Sequence, residues 1–235
     1  MTTTQPGQPL SYGTPDSPHI AVRGEARLEV DPEIARLGVT ISARGTDRRK
    51  ALDDLTRRNN QVLDLIKSHG EAVEKLETGA FTITPQLNEK GRHERIRSYR
   101  GHVHLTATVA DFTVLGELTT RLADLELTRV DGPWWGLRPD SAAHRDARRQ
   151  AVQDAVQRAR EYAGALGAQL VALLELADSD AESGYGGAMP APGGGMMRAA
   201  GYGGAATAPA LDLEPQRQTV HAHVNARLSI TRPML

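Results

Sequence analysis

From residue 19 onward, apolar and polar positions recur with periods that divide the chain into short elements. Ile20, Val22, Gly24, Ala26, Leu28 and Val30 alternate with Arg23, Glu25, Arg27 and Glu29. That period of two predicts a strand with one wet face. Asp31-Pro32 turns the chain, and Ala35, Leu37, Val39, Ile41 and Ala43 form a second strand. The two read as a hairpin. The period then changes. Leu52, Leu55, Val62, Leu63 and Ile66 form one helical face, capped by Thr46 or Asp47 and ended by Gly70. A third strand covers Glu77 to Leu87, and Asn88-Glu89-Lys90-Gly91 reads as a turn. A fourth strand runs from about Arg95 to Val109, with Val103, Leu105, Ala107 and Val109 on one face. Asp111 caps a short helix with Val114, Leu115, Leu118 and Leu122. A fifth strand, Thr128 to Leu137, leads into the longest element.

That element is a helix between Pro139 and Gly167. Asp140 or Ser141 can cap it, and Gly167 can take the left-handed conformation past its end. About 26 residues give a rod of roughly 39 Å. Ala147, Ala151, Ala155, Ala159 and Ala163 lie four apart on one face, flanked by Val152, Val156 and Leu166. Arg145, Arg148, Arg149, Asp154, Arg158 and Glu161 lie mostly outside it, with Asp154 and Arg158 spaced as an i,i+4 pair. A stripe of alanines buries little area but brings the helix axis close to what it covers. The helix therefore closes one face of a sheet. Gln169 to Ala177 and Gln218 to Thr231 complete the set as a sixth and a seventh strand.

The order is β-β-α-β-β-α-β-α-β-β. Strands two to five with their helices form a ferredoxin-like βαββαβ unit. The first strand, the long helix and the last two strands extend it. The fold class is α+β, a mainly antiparallel sheet with helices on one face. Residues 1–18, rich in Thr, Gln, Pro, Gly and Ser, are expected to be a disordered tail. Residues 19–232 form the domain. Within it, 178–217 is a Gly/Ala/Pro/Met-rich insertion expected to be flexible.

Composition narrows the function classes. A net charge of -1 leaves no global field for nucleic acid or an anionic membrane. The absence of cysteine excludes disulfides, thiol nucleophiles and thiolate metal sites. Aromatics are 4%, so the core must be aliphatic and alanine-based. No stretch approaches the ~18 apolar residues of a membrane span, and the N-terminus lacks the basic start and apolar run of a secretory signal. The expected location is cytoplasmic.

Several stretches together resemble the SIMPL-domain family of YggE-like and outer-membrane-antigen-like proteins. The opening Ile20-Ala21-Val22-Arg23-Gly24-Glu25-Ala26 is similar to its first strand, and Val30-Asp31-Pro32-Glu33-Ile34-Ala35 to its turn. Ala51-Leu52 through Asn59-Asn60 to Leu65-Ile66 resembles its first helix, and Gly79-Ala80-Phe81-Thr82-Ile83-Thr84-Pro85 its third strand. Tyr99 stands at the entry to the fourth. The alanine helix, from Ala147-Arg148 to Ala163, is the strongest likeness, and Met196-Met197-Arg198 precedes the last strand. The likeness covers about residues 19–232. It implies an α+β fold, ring-like or channel-like homo-oligomers, and links to stress response and envelope integrity. It implies no established enzymatic activity and supplies no catalytic residues. Most bacterial members are exported, which this chain departs from in lacking a signal.

Candidate chemistry is sparse. His102 and His104 share one face of the fourth strand, and His221 and His223 one face of the last. Were these strands neighbours, four imidazoles could meet around zinc, copper or nickel. Their face also carries Thr106, Thr108, Thr219, Asn225 and Arg227, as a solvated face does, so no metal and no cofactor is expected. Lys90, Arg92, His93, Arg95, Arg97 and Arg100 make a basic hairpin against Glu89 and Glu94. Phe81 is the sole aromatic of the third strand, so base stacking is poorly served and nucleic acid is not expected as a partner. Of Trp134 and Trp135, alternation turns one inward under the long helix and the other to a rim or contact. Trp135 is assigned as a contact residue. Asn59 is expected to bond a strand carbonyl. Met189, Met196 and Met197, unusual in so short a Gly-rich loop, are assigned to contacts with another subunit. The last strand beyond the loop is read as a sheet edge open to a neighbour.

The expectation is a non-enzymatic, self-assembling interaction scaffold, a homo-oligomer with no membrane span. The alternatives are a metal-dependent enzyme using the His-x-His face and an anion- or nucleic-acid-binding module using the 90–100 hairpin.

Overall fold

The computed structural model describes residues 13–87, 96–178 and 210–234. The order is β1 (His19–Val30), β2 (Ile34–Gly45), α1 (Arg48–Lys67), β3 (Val73–Leu87), β4 (Ile96–Val109), α2 (Phe112–Ala123), β5 (Thr128–Gly136), α3 (Ala142–Ala165), β6 (Leu170–Asp178) and β7 (Gln218–Ile230). These elements are α+β, and they fall into two compact units.

One unit comprises residues 31–87, 96–139 and 210–218. It is the expected βαββαβ arrangement, with antiparallel strands in the order β3-β4-β2-β5. Each helix starts on an aspartate, because a carboxylate satisfies N–H groups that the helix cannot. Asp47 accepts from Lys50 N–H at 2.9 Å and Asp111 from Thr113 N–H at 2.9 Å. On β2, Ala35, Leu37, Val39, Ile41 and Ala43 are fully buried. With Val103, Leu105, Ala107 and Val109 of β4 they pack against Leu55, Val62 and Ile66 of α1 and Leu115, Leu118 and Leu122 of α2. Period two on the strands meets period 3.6 on the helices, and both helices lie on this one face. Leu52, expected on the apolar side of α1, is exposed. Residues beyond 209 run along α2, where Leu211 N–H donates to Thr120 Oγ1 at 3.0 Å.

The other unit comprises residues 13–30, 140–178 and 219–234. Its three strands lie in the order β1-β7-β6. Helix α3 begins at Ser141, which accepts from Ala143 N–H at 3.2 Å, and stops before Gly167, which has φ +65°. All five alanines of the stripe are buried, and α3 lies chiefly across β1. Off the stripe, Asp154 pairs with Arg158 at 2.8 Å and accepts from Glu25 N–H at 2.9 Å.

Two expectations on the strands are corrected. β1 and β2 are not a hairpin, for they belong to different sheets. The link between them, Asp31-Pro32-Glu33, has no Gly or Asn of the kind tight hairpin turns require. The small inward residues of β1 suit the alanine helix, whereas the larger ones of β2 suit leucine-bearing helices. Nor is the last strand an edge: β7 is the centre of its sheet, with Val220, Ala222, Val224, Ala226, Leu228 and Ile230 buried.

Candidate functional site

The helix-free face of the four-stranded sheet concentrates the polar chemistry. Arg36, Gly38, Thr40, Ser42 and Arg44 of β2 point away from α1 and α2, since their odd-numbered neighbours point toward them. Antiparallel register sets Thr40 beside His104, Ser42 beside His102 and Arg44 beside Arg100. His104 Nδ1 is hydrogen-bonded to Thr40 Oγ1 at 3.2 Å, and His102 Nδ1 to Ser42 Oγ at 3.0 Å. Among the described residues neither Nε2 has a hydrogen-bond partner.

Gly38 lies beneath two rings. A β-carbon there would stand 3.1 Å from His104 Cε1 and 3.2 Å from Trp134 Cη2 and Cζ3. On the next strand over, Gly79 brings its backbone to His104 in the same way, its virtual β-carbon 3.6 Å from His104 Cδ2. Trp134 pairs in register with Arg36 and is 52% exposed. The two acids on this face are matched by cations of their own strands: Arg129 with Asp131 at 2.7 Å and Lys75 with Glu77 at 2.8 Å. Among the described residues no carboxylate pairs with Arg36, Arg44 or Arg100.

The strands that carry the two His-x-His pairs are not neighbours. His102 and His104 lie on β4, whose neighbours are β3 and β2, whereas His221 and His223 lie on β7, between β1 and β6. The rings of His221 and His223 are near-parallel with centroids 6.4 Å apart. Among the described residues no group of three or more His, Cys, Asp or Glu is placed to hold a metal ion.

The inward tryptophan is Trp135, and its ring meets α2 rather than the long helix. It lies edge-to-face on Phe112, with centroids 4.8 Å apart, at the rim of the leucine core. The exposed ring is Trp134. The bond expected from Asn59 to a strand carbonyl, which Nδ2 would donate, is not among the hydrogen bonds of the described residues, and Oδ1 is buried without a partner among them. Lys90, Arg92, His93 and Arg95 of the basic hairpin, and Met189, Met196 and Met197, lie outside the described residues.

With both sheets in view, residues 20–228 match the SIMPL family, described as protein of unknown function (DUF541). The chain belongs to the SIMPL family. The match runs from the first strand into the last and so takes in both units. A 26 kDa periplasmic immunogenic protein of Brucella melitensis is 26% identical over 172 residues, covering 68% of this chain and 66% of that protein. The uncharacterized protein YggE of Escherichia coli K12 is 22% identical over 149 residues, covering 63% of this chain and 61% of that protein. The matched stretch thus spans less than two thirds of these curated relatives. The expectation of a cytoplasmic protein is corrected by the Brucella relative, which is periplasmic by name. No helix of the SIMPL chain, among the described residues, is long and apolar enough to cross a membrane. The family description carries no enzymatic activity.

The SIMPL chain has a second exposed feature, in its three-stranded sheet. Among the described residues β6 pairs only with β7, and Val171 is 64% exposed, Leu173 54%, Leu174 49% and Leu176 47%. The opposite edge, β1, carries Arg23 paired with Glu25 at 3.2 Å and Arg27 with Glu29 at 3.0 Å.

Helix α1 and its N-cap carry electrostatic shifts. Burial raises the Asp54 carboxyl, but hydrogen bonds from Arg58 and Arg57 outweigh it and hold the group below the ordinary carboxylate value. Arg58 is raised in turn, chiefly by its hydrogen bond to Asp54, and also donates to Glu126 O at 2.9 Å. Asp47 is lowered by the N–H of Lys50 that it caps.

Sequence reasoning passed over Arg36, Gly38 and Arg44, and gave the contact to Trp135 where the exposed ring is Trp134. The signal was available in the polar half of β2, Arg-x-Gly-x-Thr-x-Ser-x-Arg, which alternates as strictly as the apolar half.

Proposed function

We propose that this chain is a non-enzymatic, self-assembling scaffold whose seam is the free edge of β6. The observation that carries it is the set of four large apolar side chains standing 47% to 64% exposed on one edge strand. An edge strand presents unpaired backbone N–H and C=O groups, and proteins ordinarily blunt it with charge. β1 is blunted in that way by its paired arginines and glutamates. β6 is apolar, so its best complement is the β6 of a second copy, in a two-fold antiparallel pairing. The family's description as of unknown function leaves room for such a role, and the periplasmic relative supports a setting in the cell envelope. Sedimentation of the full chain across micromolar concentrations tests it. The proposal expects a concentration-dependent oligomer that Leu173→Lys with Leu176→Lys shifts to the 25.3 kDa single chain. A single-chain species throughout, or an oligomer untouched by the lysines, contradicts it.

A further inference from the structure

We infer that the helix-free face around His104 and Trp134 binds a sparsely charged acidic polysaccharide. The argument starts from shape. Gly38 and Gly79, on the strands either side of His104, bear no side chains, so they leave a shallow trough in which the His104 ring and the Trp134 ring lie low against the sheet. An open, flat trough of this kind suits an extended polymer better than a small enclosed ligand. Trp134 offers a broad, half-exposed apolar surface of the kind that stacks on rings. His102 and His104, each held through Nδ1 by a strand hydroxyl, keep Nε2 for a ligand oxygen.

Charge then selects among polymers. Arg44 and Arg100 are register partners at one end of the face, and Arg36 stands beside Trp134 at the other. Eight residues along β2 separate Arg36 from Arg44, a span of roughly 27 Å at strand rise. Between them on β2 lie the neutral Gly38, Thr40 and Ser42, and the charges flanking them, Arg129 with Asp131 and Lys75 with Glu77, cancel as ion pairs. Two cationic ends, unpaired among the described residues and joined by a stretch with no net charge, fit a chain whose carboxylates are separated by uncharged sugar units. A nucleic-acid strand fits less well. Its phosphates recur about every 3.4 Å along a duplex strand, single-strand binders offer a stacking platform to successive bases, and this face has one indole. The net charge of -1 also gives no long-range attraction for a dense polyanion.

The test is titration of the full chain with a hyaluronan decasaccharide, in which carboxylate-bearing and neutral sugars alternate. Neutral dextran and an oligo(dT) strand serve as comparison ligands. Saturable binding of hyaluronan, with dextran and oligo(dT) weaker by about tenfold or more, is expected. Trp134→Ala and, separately, Arg44→Ala with Arg100→Ala should each weaken it by about tenfold, while Arg149→Ala on α3 leaves it unchanged. Thermal melts of each variant matching the parent show that lost binding is not lost folding. The arginine pair, being solvent-facing, keeps the test open should Trp134→Ala fold poorly. No hyaluronan binding, binding indifferent to both variants, or dextran bound equally well overturns the inference. Tighter binding of oligo(dT) overturns it in favour of nucleic acid.

Discussion

Gly24 of β1 sits directly against Ala151 of α3: a β-carbon on Gly24 would stand 2.0 Å from the Ala151 carbonyl oxygen and 2.6 Å from Ala155 N. No side chain, however small, fits there without moving the helix off the strand. Gly24→Ala should therefore destabilise the fold by about 3 kcal/mol, the upper end for overpacking. Chemical denaturation of the two proteins checks it. An unchanged midpoint would mean that strand and helix part easily.

The stripe itself makes a second prediction. Ala155 is fully buried, whereas Arg149 is exposed and paired with Asp146 at 3.2 Å. Ala155→Leu should cost ~1–3 kcal/mol, and Arg149→Ala should stay within ~0.5 kcal/mol as a surface change. Equal denaturation midpoints would contradict the assignment of faces.

Acid stability should depend on Asp54. Its folded-state pKa lies below the unfolded one, so its contribution is present above the unfolded value and is lost as pH falls through the folded one. Asp54→Asn should remove about 1 kcal/mol at neutral pH, the upper end for an ion pair near the surface, since Asp54 and Arg58 are part-buried. It should also flatten the acid limb of the stability curve between those two values. A variant whose acid limb overlays that of the parent would assign the pair no role.

Zinc should not raise the melting temperature when added near the protein's own concentration, because the two His-x-His pairs belong to different sheets. A rise abolished by His102→Ala together with His223→Ala would contradict this.

What was legible in the sequence was whatever one period could carry. The ferredoxin-like unit is visible because Leu37, Val39 and Ile41 repeat at two and Leu115, Leu118 and Leu122 at three to four, and each pattern names its own buried face. The alanine stripe is legible for the same reason. Partnership between strands is not. β1 and β2 are close in sequence and both alternate, yet their partners are chosen by side-chain size, Gly24 against Ala151 and Leu37 against the leucine core. The trough around His104 was hidden because it depends on Gly38 and Gly79 arriving on either side of one ring from distant positions. Trp134 and Trp135 could be split into one inward and one outward ring, but which was which depended on the position of Phe112. The free edge was misassigned to β7 because an apolar strand at the end of a chain looks the same whether it lies at an edge or between two neighbours.

Cysteine cross-linking through β6 tests the scaffold most directly. The chain has no cysteine, so a single Leu174→Cys reports only on its own counterpart in another copy. Mild oxidation of Leu174→Cys should give covalent dimers at low micromolar concentration, whereas Arg149→Cys on the exposed side of α3 should remain single chains. Leu174→Cys that stays uncross-linked, or that links no faster than Arg149→Cys, would contradict a seam between two β6 strands.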